Sequence, residues 1–184
     1  MLSKGKDEST IRTFRLGNEL DEVLKKEAER QSISVSALLN QIVLRYSDAE
    51  RYFTRYNTLT IEKNTFISFI EGLSGEKVAE IGDLAGSRSL RNGLSIRGLN
   101  SNAETVRFIV EHVYGRYSGW FEANFYEKND AVVYHLRHDL GDSWSTFVNH
   151  FMLRMFDSLL DTDVRTDVTE DSVTVYIPKN RIKR

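Results

Sequence analysis

The stretch Thr10 to Leu16, TIRTFRL, constrains the fold more than any other part of the chain. Its side chains alternate, with Phe14 and Leu16 on one face and Ile11, Thr13 and Arg15 on the other. A lone strand of this kind leaves its backbone N–H and C=O groups unpaired along both edges. The simplest partner is the same strand of a second copy. The stretch therefore predicts a homodimer before any function is considered.

Two helical patterns follow. Asn18 is placed to cap the first, with Glu19, Asp21 and Glu22 in the opening turn, where the helix dipole favours acids. Leu20, Val23, Leu24 and Ala28 form its apolar stripe. Ser32-Ile33-Ser34 breaks the pattern, and Ser34 caps a second helix bearing Val35, Leu38, Leu39, Ile42, Val43 and Tyr46. The periodicity carries this helix on towards Tyr52 or Phe53.

Over residues 10–50 this order resembles the ribbon-helix-helix (Arc/MetJ/CopG-like) DNA-binding family. The likeness covers the strand parity, the Leu20/Val23/Leu24/Ala28 stripe, the Ser-Ile-Ser turn and the Leu39/Val43 pair. It implies an intertwined dimer whose two strands form an antiparallel ribbon in the DNA major groove. By position, Ile11, Thr13 and Arg15 would meet base edges. The start of the second helix, at Ser34, Val35 and Ser36, would hold a backbone phosphate, with Arg12 turned outward as a further phosphate contact. The chemistry suits these roles. A two-stranded ribbon fits the major groove, and Arg pairs bidentately with guanine. A helix N-terminus binds an anion without a cationic side chain. Ile11 departs from the polar residue usual there. Either it packs on a thymine methyl or the ribbon is read at two positions per chain.

Charge does not announce nucleic acid. The formal net charge is −2, and residues 1–60 carry ten Lys/Arg against nine Asp/Glu. Any DNA-binding charge must be arranged locally. Cysteine is absent, which excludes disulfides, thiolate metal sites and cysteine nucleophiles and fits a cytoplasmic protein. No apolar run approaches the roughly 20 residues of a membrane span, so no membrane partner is expected. Apolar residues at 40% support a real core.

Residues 1–9 read as a flexible arm and 10–56 as the DNA-binding and dimerisation module. Residues 57–100 read as a helical connector: an extended piece at Leu59–Ile61, helices over Lys63–Leu73 and Gly75–Leu84, then a glycine- and arginine-rich loop from Gly86 to Gly98. Arg88, Arg91 and Arg97 lie there with no acid between Asp83 and Glu104. The loop reads first as a solvated connector and second as a phosphate cradle. It contains no nucleotide-binding glycine motif.

Residues 101–178 read as an α+β domain of order α-β-β-α-β-β. Its helices are Ala103–Tyr117 and Ser143–Leu160, and its strands are Trp120–Glu127, Ala131–His138, Val164–Val168 and Ser172–Ile177. Asn129-Asp130-Ala131-Val132 echoes Glu170-Asp171-Ser172-Val173, which points to two αββ units sharing one antiparallel sheet with helices on one face. Residues 179–184 form a basic tail.

His138, Asp139 and His150 are the densest candidate metal ligands. His138 ends a strand and His150 is mid-helix, so the stronger reading is structural. In it Asp139 or Asp142 caps the helix, Gly141 makes the turn and Trp144 packs inward. No nucleophile elbow or paired carboxylates stand out. No cofactor, metal or catalytic residue is expected. The fold expected is α+β, with a ribbon-helix-helix module at its N-terminus. The function expected is a dimeric, sequence-specific transcriptional regulator of double-stranded DNA. Its C-terminal domain would serve higher oligomerisation or ligand sensing. An antitoxin-like protein and a DNA-tethered enzyme are the alternatives.

Overall fold

The computed structural model describes residues 10–56 and 58–179. The arm 1–9 and the tail beyond Lys179 lie outside the described residues. The chain divides into two compact units, Met1–Leu44 and Arg45–Arg184.

In the first unit the earliest regular element is helix α1, Asn18–Arg30. Thr10–Leu16 forms no ladder in the single chain, because a strand needs a neighbour and none is present among the described residues of the unit. The regular structure of the described residues thus begins with helices, and no ribbon occurs among them. Gly17, not Asn18, occupies the N-cap position of α1, with no side-chain cap; Asn18 is the first helical residue. The helix ends in a Schellman turn. Ser32 adopts φ 55°, its N–H donates to the Glu29 carbonyl, and Ile33 N–H donates to the Ala28 carbonyl. Helix α2, Val35–Arg45, begins at Ser34, whose Oγ accepts the Ala37 N–H at 3.1 Å. The Ser-Ile-Ser break thus supplies partners to orphan groups at two helix ends within three residues. Only Ala28 and Leu38 are buried among the described apolar residues of this unit.

The second unit opens with a π-helical turn, Tyr46–Glu50, and helix α3, Arg51–Tyr56. Helix α4, Lys63–Glu71, is capped by the Glu62 carboxylate, which accepts the Asn64 and Thr65 N–H groups. Helix α5, Gly75–Leu84, is capped by Ser74. Here the structure corrects the expected glycine- and arginine-rich loop. A π-helical turn, Ala85–Ser89, and helix α6, Leu90–Arg97, continue α5 as one helical run. The piece Leu59–Ile61 is not a strand.

The run holds because it buries a stripe of four-residue spacing: Val78, Gly82, Gly86, Leu90 and Leu94. On an α-helix each four-residue step drifts by about 40° around the axis. The wider π turn in the middle takes up that drift and keeps the stripe on one side. The glycines are there for contact. A Cβ on Gly82 would come within 2.7 Å of the Phe147 carbonyl oxygen, and one on Gly86 would come closer still to that of Phe151.

The partner in that crossing is helix α8, Gly141–Leu160, which follows helix α7, Ala103–Phe108, the π-helical segment Ile109–Tyr117 and a hairpin. The strands are β1 Glu122–Glu127, β2 Ala131–Arg137, β3 Arg165–Val168 and β4 Ser172–Pro178. They form one antiparallel sheet in the order β1-β2-β4-β3. The fold is therefore α+β, and the α-β-β-α-β-β order is as the sequence suggests. Val132, Tyr134, Leu136, Val173, Val175 and Ile177 alternate onto the buried face, in one core with α8. Phe147 and Phe151 of α8 lie against the glycines of the long helix while Met152, Met155 and Phe156 are buried with them, so this helix buries a broad apolar face and leaves Asp142, Arg154 and Asp157 exposed on the other side. Ile70, Val78, Leu90 and Leu94 belong to the same core.

The internal echo recurs in the hydrogen bonds. Lys128 N–H donates to the Ala131 carbonyl as Thr169 N–H does to that of Ser172. Lys179 N–H donates to the Asp130 carbonyl as His138 N–H does to that of Asp171. The two hairpins are thus related by a local twofold passing between β2 and β4.

No helix among the described residues is long and apolar enough to cross a membrane.

Candidate nucleic-acid interface

In the first unit every described residue from Thr10 to Leu20 is exposed. Ile11 is 90% exposed. Thr13, Arg12 and Arg15 are exposed too, and no carboxylate among the described residues pairs with either arginine. The acids of the first turn, Glu19 and Asp21, follow this stretch closely. Asp21 is engaged by Lys25 at 2.7 Å.

At the start of α2 the Ser34 hydroxyl satisfies the Ala37 N–H, and the Ser34 carbonyl accepts the Leu38 N–H. The N–H groups of Val35 and Ser36 have no acceptor within the helix, as the geometry of a first turn requires. They and the helix dipole give this corner the chemistry of an anion site. Lys and Arg are absent from the α2 first turn, so any anion there would be held by backbone.

The apolar side chains of the unit are the second feature. Phe14 is 58% exposed, Leu20 59%, Val23 61% and Val43 63%, and Leu16, Ile42 and Leu44 are exposed with them. Leu20, Val23, Ile42 and Val43 are among the residues whose spacing gives the two helices their stripes. Two helices with exposed stripes and two buried residues do not make a core in one chain.

The candidate chemistry of the C-terminal domain resolves differently. His138 is buried, and the Leu140 N–H donates to its Nδ1 at 3.3 Å. The proton therefore sits on Nε2, which donates to Ser145 Oγ at 2.9 Å. The Ser145 hydroxyl in turn donates to the Glu170 carbonyl at 3.2 Å. In a nucleophilic pair the serine would give its proton to the histidine; this bond runs the other way. Burial pushes the His138 pKa down, opposed by the charges of Asp171 and Asp139.

His150 lies elsewhere, with Nδ1 3.2 Å from Asp83 Oδ1, which also accepts from Arg154 Nε at 3.1 Å. The structure does not bring His138, Asp139 and His150 together, and no metal-binding cluster occurs among the described residues. Asp139 pairs with Lys63 and caps nothing. Asp142 gives α8 no side-chain cap either; its carbonyl accepts from Thr146. Gly141, at φ +79°, and Trp144, buried with Nε1 donating to the Trp120 carbonyl at 2.9 Å, take the parts expected of them.

An open cleft of about 890 Å³ runs beside His138, between the π-helical segment and β1. Several of its charges are paired: Glu111 with Arg107, Arg137 with Glu122 and Asp139 with Lys63.

Comparison of the chain with models of known protein families, with curated proteins and with solved structures finds no match.

Proposed function

We propose that the protein is a dimeric, sequence-specific DNA-binding regulator of transcription. In this reading Thr10–Leu16 pairs with its copy across a twofold axis and enters the major groove as a ribbon. The observation that carries it is the exposed apolar stripe of the first unit. Phe14, Leu20, Val23, Ile42 and Val43 are all exposed in the lone chain. A second copy supplies the missing half of the core, and pairing the two Thr10–Leu16 stretches supplies the missing ladder.

Once Phe14 and Leu16 turn inward, parity sends Ile11, Thr13 and Arg15 outward together. Arg15 then reads guanine and Thr13 a neighbouring base, while Ile11 packs on a thymine methyl. Val35 and Ser36 N–H groups, with Ser34 and Arg12, hold the flanking phosphates and fix the register. The near-neutral charge of residues 1–60 is compatible with this, because backbone amides carry part of the phosphate binding. The C-terminal α+β domain serves assembly of dimers, raising affinity by linkage. Its ordered core is unlike a neutralising segment that folds on its target. The polarity of the His138–Ser145 bond tells against a serine nucleophile there.

The test is duplex binding by wild-type protein and by Arg15→Ala. Removing a bidentate pairing to a base costs about 1–3 kcal/mol at the preferred site and relaxes its specificity.

A further inference from the structure

The structure gathers three guanidinium groups round one aromatic ring. Arg51 lies 4.6 Å from the Tyr52 ring centroid, Arg55 5.8 Å and Arg97 4.3 Å. Arg51, Tyr52 and Arg55 share helix α3, with the arginines one turn apart. Arg97 arrives from the last residue of α6, anchored by the bond its Nη1 donates to the Asp48 carbonyl.

The nearby acids are committed elsewhere. Glu50 accepts from Arg45 at 2.8 Å, and the Asp48 carboxylate accepts from the Tyr117 hydroxyl at 3.1 Å. No carboxylate among the described residues is within ion-pair distance of Arg51 or Arg55. A ring face attracts one cation well. Three cations at one ring repel each other, and attraction to a single tyrosine does not account for the set. An anion with several acceptor oxygens does. Arginine forks match phosphate oxygens bidentately; Arg51 and Arg55 are exposed, and Arg51, held by the bond its Nε donates to the Ser47 carbonyl at 2.7 Å, keeps its terminal nitrogens for an anion. Tyr52, half-buried, is the ring that all three approach.

We propose that Arg51, Arg55 and Arg97 form a binding site for a phosphate group. Two sources share that chemistry: the backbone of a DNA duplex and a phosphorylated small molecule. The duplex case rests on the DNA-binding reading above; the site itself does not.

The experiment uses the full chain and the double variant Arg51→Gln/Arg55→Gln. Both residues are exposed, and Arg97, which anchors α6, is left alone. Lys77→Gln/Arg88→Gln removes the same charge from exposed positions elsewhere and serves as control. Inorganic phosphate and pyrophosphate are titrated by calorimetry, and binding of a 20-base-pair duplex is followed over a series of salt concentrations. The site stands if the double variant, unlike the control, binds phosphate or pyrophosphate about tenfold or more weakly. It stands equally if the slope of log K against log salt flattens by about 0.9 for each DNA phosphate that the variant no longer neutralises. A flattened slope assigns the site to the DNA backbone. Weakened phosphate binding with an unchanged slope, or with no duplex binding by the wild type, assigns it to a phosphorylated small molecule. If the double variant matches the control in both measurements, the site does not exist.

Discussion

The Nε2 of His138 donates its proton to Ser145 Oγ across 2.9 Å, because Leu140 N–H already occupies the other ring nitrogen. Protonating this imidazole would place a second hydrogen at Nδ1, facing the Leu140 donor, and would bury a charge. Its pKa is lowered from the usual value near 6.5, chiefly by burial, with Asp171 and Asp139 opposing. The unfolded chain therefore binds more protons than the folded one as the pH falls below about 6.5, and stability is lost on the way down. Urea midpoints at pH 7.5 and 5.5 should show a drop for the wild type that is smaller for His138→Gln. An equal drop in both proteins would assign the acid sensitivity to other groups.

Gly86 faces the carbonyl of Phe151 at the crossing of the long helix with α8, with no room for a Cβ. Gly86→Ala should destabilise the second unit by about 1–3 kcal/mol through forced separation of the helices. Gly75, in the first turn of α5, has open space around it, and Gly75→Ala should be neutral or mildly stabilising. Chemical denaturation of the two variants distinguishes a packing glycine from a flexible one. Equal stability of Gly86→Ala and wild type would contradict the close crossing.

These glycines mark the limit of what the sequence discloses. The strands were legible because Val132, Tyr134 and Leu136, and Val173, Val175 and Ile177, alternate without interruption. The hairpin echo was legible from two short matching runs. Glycine and arginine density between Gly86 and Gly98 suggested a loop, and the four-residue stripe Val78/Gly82/Gly86/Leu90/Leu94 was the competing signal. It was hard to see because four-residue spacing is helical only when a π turn absorbs the drift. The alternation of Thr10–Leu16 suggested a strand, and the single chain forms none there because no described strand lies beside it. The Arg51/Arg55/Arg97 grouping needed the third dimension, since Arg97 lies far along the chain from its two companions. The pair Arg51 and Arg55 flanking Tyr52 was the sequence hint.

Val43 is a sharp test of the dimer. It is 63% exposed in the single chain. A substitution at such a surface position ordinarily changes stability by no more than about 0.5 kcal/mol. If a second copy covers it, Val43→Asp buries an unpaired carboxylate and should convert the dimer to monomer at micromolar concentration. Sedimentation velocity reads the result. A Val43→Asp dimer as tight as wild type would remove this face from the interface.

Ser34 tests the helix corner in the same unit. Ser34→Ala removes the acceptor of the Ala37 N–H and should cost about 1 kcal/mol of stability. With Val35 and Ser36 amides holding a phosphate, the variant should also weaken duplex binding uniformly across sequences, leaving base preference intact. A changed preference would place this corner against bases.

The central claim is that a twofold ribbon reads DNA sequence through Arg15 and Thr13. Selection of duplexes from a random library with full-length wild type and with Arg15→Ala tests it most directly. Wild type should enrich a site with twofold symmetry, whose half-sites carry a guanine that the Arg15→Ala selection no longer requires. Enrichment of no sequence by the wild type, or of the same site with the same stringency by Arg15→Ala, would contradict it.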